Sequence, residues 1–204
     1  MEILIEKFGW WQTYGITALT IFLRYALFAG LAFLLFYSLF RDSLLPRKIQ
    51  QKVPQASHLW SEIKHSLLSA FVLALMGLLL YVLRTHGFTQ IYMDFDSYGW
   101  GYAVFSLIAL IILHDAYFYW IHRLMHHPRL FILLHATHHK SRNPTPWAAL
   151  AFHPLEAVLE VAIVPLLVFF LPFHPLTLFA FATWSLAWNV LGHSGFEVFP
   201  KGFV

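Results

Sequence analysis

The chain contains no cysteine. That excludes disulfides, Cys-ligated iron–sulfur clusters and thiolate-ligated haem within it. It is also poor in charge: 11% of its 204 residues are Asp, Glu, Lys or Arg, and the formal net charge is +3. The cations lie in loops beside apolar segments, so they read as a topology signal and not as a nucleic-acid patch. Near the start, Glu2, Glu6 and Lys7 make a mixed stretch without a charged n-region or small-residue cleavage site. No cleaved signal peptide is expected there.

What is abundant is apolar surface. The chain is 59% hydrophobic and 19% aromatic, which is membrane composition. Spanning a bilayer takes about 20 consecutive apolar residues. The pattern predicts an all-α integral membrane protein with four to five transmembrane or hairpin helices, forming one membrane domain over 1–204. The apolar runs are 14–40, 66–84, 100–121, 155–173 and 175–192. Arg24 interrupts the first run and is expected to snorkel to an interface. Pro172 and Pro175 flank a sharp link, so the last two runs read as a tight helical hairpin. Loop 41–65, with Arg41, Arg47, Lys48, Lys52 and Lys64, is expected on the cytoplasmic side; loop 84–99, poor in cations, is expected outside. Segment 122–153, with Arg123, Arg129, Lys140 and Arg142, then returns to the cytoplasm, and the hairpin brings His193 and Lys201 back to that face.

Histidine is the other excess. Seven of the 13 histidines fall in the 26 residues of HDAYFYWIHRLMHHPRLFILLHATHH, from His114 to His139. Neutral imidazole is the commonest metal ligand, and unpaired polar rings beside a bilayer are costly. His122 and His126 are i, i+4 and share a helix face. Asp115 and Tyr119 extend that stripe backwards, so Asp115 is placed to accept the outer N–H of a ligand ring. His135, His138 and His139 form a second group at i+3 and i+4. One unbroken helix would turn the two groups apart, but Pro128 ends the first helix and a bend there aims both at one centre. Asn143 to Pro146 stops the second histidine helix. Asn189 and His193 are i, i+4 at the end of the last run; His193 is a candidate ligand or a cap. His153, Glu156 and Glu160 make a polar face, placed either in interfacial water or outside the ligand set. His127 cannot point the same way as its neighbour His126. His114 reads as a packing or outer residue, and His58, His65, His86 and His174 as surface or interfacial. The candidate metal set is therefore His122, His126, His135, His138, His139 and His193, with imidazole equally suited to iron, zinc, copper or nickel.

The pair His122-Arg-Leu-Met-His126 and His135-Ala-Thr-His138-His139 resembles the first two histidine boxes of the fatty acid hydroxylase / sterol desaturase superfamily. AFHPLE at 151–156, after Thr145-Pro146, is similar to the C-5 sterol desaturase branch, and GHSGFE at 192–197 resembles the segment before the last box. The likeness covers about residues 100–200. It implies a membrane di-metal oxygenase, normally with two Fe ions and with Zn as a substitute, whose site lies on the cytosolic face. By that resemblance the chain hydroxylates or desaturates a sterol or fatty acyl lipid with O2 as cosubstrate. No GxGxxG or flavin signature is present, so electrons are expected from a donor such as cytochrome b5 or ferredoxin with its reductase, docking on Arg123, Lys140 and Arg142. The setting would be the endoplasmic reticulum in a eukaryote and the inner membrane in a bacterium. The family's third box, HxxHH, does not occur before Val204, and the chain is expected to be an N-terminal fragment. Two other readings stay open: a non-enzymatic membrane protein binding metal or haem, and an inactive scaffold.

Overall fold

The computed structural model describes residues 1–198; Lys201 lies outside them. The described residues fold mainly as helices and contain no strands beyond two isolated bridges, Lys48 with Phe196 and Ile91 with Phe173. The helices are α1 (Glu2–Leu34), α2 (Arg41–Leu44), α3 (Ala56–Thr85), α4 (Gly99–Met125), α5 (Pro128–Leu134), α6 (Pro154–Val161), α7 (Ile163–Val168) and α8 (Pro175–Gly192). Among the described residues three are long and apolar enough to cross a membrane: α1 with its continuation to Leu39, α3 and α4.

The fourth apolar run is not one helix. It divides at Ala162 into α6 and α7, with Pro165 in the first turn of α7. A proline deeper in a continuous helix would lack the N–H for the ladder and clash with the preceding turn, so the chain restarts where proline is tolerated. The residues between α7 and α8 carry Pro172 and bring Phe173 against Ile91, and α8 then packs on α1 and α4.

Helix contacts follow the rule for lipid, not for water. α3 buries Ser66, Ala70, Ala74 and Leu78, one residue per turn, and α1 buries Ala18, Tyr25, Ala29 and Ala32. Small side chains let backbones approach closely where lipid tails compete for every larger apolar group. The large ones face outward: Leu19, Leu23, Leu27 and Leu31 on α1, and Val104, Phe105, Ile108 and Ile112 on α4, are all exposed. This inverted distribution is what a bilayer selects.

The segment between the histidines and α6 lies inside the bundle. Its single 3-10 stretch, Pro146–Leu150, has buried residues at Pro146, Ala148 and Ala149. Irregular backbone buried inside the bundle must have its carbonyls satisfied by protein. Tyr25 Oη donates to Trp147 O at 2.5 Å and Ser66 Oγ to the same oxygen at 3.1 Å. Asn189 Nδ2 donates to Ala149 O at 2.8 Å. Three helices, α1, α3 and α8, thereby hold one loop, and the loop holds the histidines.

The GHSGFE stretch is pinned as tightly. Tyr37 Oη donates to Ser194 O at 3.0 Å, Ile49 N–H to Gly195 O at 3.1 Å, and Phe196 stacks on Phe36 with centroids 5.5 Å apart. Gly195 has φ 79°, and a Cβ there would lie 2.6 Å from Tyr37 Oη and 2.8 Å from Pro144 O. Both the left-handed backbone and the close approach require glycine. Gly195→Ala is expected to destabilise the protein by about 1–3 kcal/mol, read as a lowered midpoint of thermal unfolding in detergent.

Candidate metal centre

α4 ends at Met125, His127 caps α5, and Pro128 is the first residue of the new helix. The break falls where the proline predicted it. The second group differs from expectation: it is not carried by a helix. His135 leaves helical geometry at φ −126° as the C-cap of α5, and His138–Lys140 make one 3-10 turn. The tighter turn brings His138 and His139 back under His135 instead of sending them along an axis.

The rings converge. His126 Nε2 lies 3.2 Å from His122 Nε2 and 3.4 Å from His139 Nε2. Ligand atoms of His122, His126 and His135 all lie within 4.8 Å of one another. His138 Nε2 lies 3.2 Å from His193 Nε2. The two groups touch through His135 and His138, stacked with centroids 5.3 Å apart. Neighbouring nitrogens around one tetrahedral ion, each about 2.05 Å from it, stand about 3.3 Å apart. A ring hydrogen bond can serve one such pair, but it cannot satisfy three nitrogens facing one point.

Outer partners fix which nitrogens face inward. His135 Nδ1 meets Glu156 Oε1 at 2.6 Å, with both side chains 1% exposed. With that N–H donated to the carboxylate, Nε2 keeps its lone pair; it is buried and has no partner. His193 Nδ1 donates to Asn189 O at 2.8 Å, and a carbonyl can only accept, so His193 Nε2 is also a lone-pair nitrogen. This carboxylate– or carbonyl–imidazole arrangement is how metal-binding histidines are oriented. The orphaned His135 Nε2 and the N–N spacings fit a metal ion.

Burial and the neighbouring rings of His193, His135 and His139 hold His138 well below the ordinary imidazole value, down to about 3. Burial likewise lowers His135 and His139. The cluster stays neutral, and neutral rings bind metal. For the metal-free protein the sign follows. Below the ordinary value of 6.5 the unfolded chain takes up protons that native His138 refuses, so stability falls as pH falls. Between pH 7 and pH 4.5 the unfolding temperature of metal-free wild type is expected to fall by more than that of metal-free His138→Ala.

Asp115 does not take part. It is exposed on α4 and makes no hydrogen bond or salt bridge. The stripe placed it on the face that carries His122 and His126, but two turns back that face is exposed and no ring reaches it; the carboxylate that meets a ring is Glu156. His153 Nδ1 accepts from Leu155 N–H at 3.3 Å and Glu156 Oε2 accepts from His153 N–H at 3.4 Å, a capping box at the start of α6. So one glutamate both caps its helix and holds His135. His127 and His174 are caps too, with Nδ1 accepting from Arg129 and Leu176. Glu62 had no place in the sequence reading. Buried in α3, it accepts from Ser141 Oγ and, at 2.5 Å, from Thr145 Oγ1, tying the loop after the histidines to the bundle. Its signal was there: an acidic residue leading into a long apolar helix needs a partner.

Residues 107–204 match the family model for fatty acid hydroxylase. The Delta(7)-sterol 5(6)-desaturase ERG3B of Gibberella zeae is 32% identical over 151 residues, 74% of this chain and 45% of that protein. These matches support the fatty acid hydroxylase / sterol desaturase superfamily for this chain. Lathosterol oxidase of Rattus norvegicus, another relative, is 27% identical over 196 residues, 94% of this chain and 64% of that protein. The Delta(7)-sterol 5(6)-desaturase erg3C of Aspergillus fumigatus is 38% identical over 115 residues, 56% of this chain and 34% of that protein. The chain spans about half the length of the curated relatives it matches. No solved structure matches it. The superfamily match takes in His114 to His193 entire, so the histidine centre lies within the matched residues.

Proposed function

We propose that the chain carries the histidine centre of a membrane di-iron oxygenase that hydroxylates or desaturates a lipid, sterol or fatty acyl, with O2 and external electrons. The observation behind this is the convergence of six imidazole rings in two touching groups, with the outer nitrogens of His135 and His193 tied to Glu156 and to the Asn189 carbonyl. His122, His126 and His135, with His139 beside them, would hold one ion; His138 and His193 would hold the other. Bound iron would supply the O2 activation that an unreactive C–H bond demands. The protein's own part is to keep the rings neutral and aimed, through Glu156 and the Asn189 carbonyl, and to enclose an apolar substrate. The sterol desaturases and oxidases among the relatives support a lipid substrate. The site is read on the cytosolic face, where the exposed Arg123, Lys140 and Arg142 would dock an acidic donor such as cytochrome b5 or ferredoxin. The test is metal analysis with O2-dependent lipid oxidation in the complete protein, wild type against His138→Ala. Loss of metal and of turnover is expected; full activity in the variant refutes the assignment.

A further inference from the structure

A cavity of about 290 Å³ opens beside the histidines, between α1, α3, α6 and α8. Phe152 and Asn189 line its near end. The Phe152 ring is 5.4 Å from that of His138, and Asn189 O accepts from His193 Nδ1. The walls are apolar, yet three of the side chains lining it are ionisable: Arg24, His114 and Glu160.

None of the three is satisfied by the protein. Arg24 does not snorkel. It turns inward over the Phe179 ring at 5.5 Å, and its Nε is buried without a partner. Glu160 lines the same cavity and forms neither a hydrogen bond nor a salt bridge with Arg24. His114 packs on Phe118 and Phe181 and makes no hydrogen bond. An intramembrane ionisable side chain facing a cavity is costly unless something there uses it.

We infer that this cavity binds the hydroxyl group of a lipid alcohol, which accepts from Arg24 and donates to Glu160. Arginine can only donate; a carboxylate or an imidazole nitrogen can accept; a hydroxyl does both at once. The apolar walls take the hydrocarbon body. Glu160 is one turn beyond Glu156 along α6, about 6 Å, and His114 two turns before His122 along α4, about 12 Å. The hydroxyl is therefore held one to two turns from the rings, with the body running past Phe152 toward them. This rests on the lipid oxygenase reading and names the substrate class of that same site.

The test is equilibrium binding to the complete protein in nanodiscs, with a tritiated 3β-hydroxysterol as probe. Competitors are the unlabelled sterol, its 3-acetate and hexadecan-1-ol. The acetate, which cannot donate, is expected to compete about tenfold more weakly than the free alcohol. Arg24→Met and Glu160→Leu are each expected to weaken sterol binding about tenfold with metal content unchanged. Stronger competition by hexadecan-1-ol than by the sterol supports the site with a chain alcohol as occupant; the reverse supports it with a sterol. Acetate competing as well as the alcohol, or no binding of either alcohol, overturns the inference, and the ligand series needs no variant to fold. Because binding is read without turnover, loss of the anchor with oxidation intact refutes the cavity alone. Sterol binding by a protein without metal or oxidation refutes the oxygenase reading alone.

Discussion

His135→Ala is expected to empty the centre of metal and to lower lipid oxidation in the complete protein by more than about 100-fold, beyond what loss of an outer partner costs. His135 is the hub. Its ring lies 4.6 Å from that of His122, 4.8 Å from His126, 4.7 Å from His139 and 5.3 Å from His138, so it belongs to both groups. Removing it takes the orphaned Nε2 from the first group and the stacking surface from the second. It also leaves Glu156 buried without the ring it holds, which costs about 1–3 kcal/mol. Metal should therefore be counted on the folded fraction. Elemental analysis after gel filtration, alongside O2-coupled turnover, checks the outcome; near wild-type metal and turnover would place the centre elsewhere.

Glu156→Leu is expected to weaken metal binding by about 10–100-fold while leaving every ligand ring in the sequence. Without the carboxylate, His135 Nδ1 has nothing to fix its tautomer, and the ring can swing or present N–H to the ion. Glu156→Gln keeps the shape and can still accept at the amide oxygen, so a smaller loss is expected. The capping role separates from the metal role. Breaking the box at His153 costs about 1 kcal/mol of helix stability, whereas loss of ring orientation shows as a shifted metal dissociation constant. Equal metal affinity in wild type and Glu156→Leu would reduce Glu156 to a cap.

The histidine groups were legible because helical spacing is local: His122 and His126 share a face whatever surrounds them, and Pro128 announces its own break. The all-α membrane class was legible from composition and run length. The partners were not. Glu156 and His135 are 21 residues apart and Glu62 and Thr145 are 83 apart, and no periodicity links residues joined by chain reversal. Asp115 shows the same limit from the other side. Its stripe gave its face and its height on α4, but whether another element reaches that far along the face is decided by packing against neighbours. Arg24 was read as reaching for an interface because the run around it is apolar; it points inward because a cavity is there to receive it.

His127, His153 and His174 are each followed by proline, and each sits at a helix start with Nδ1 engaged by a backbone N–H two residues on. A ring so engaged has lent its lone pair to the main chain. Folding alone thus sorts the imidazole inventory into fasteners and free donors, and an arriving ion meets a competition already decided.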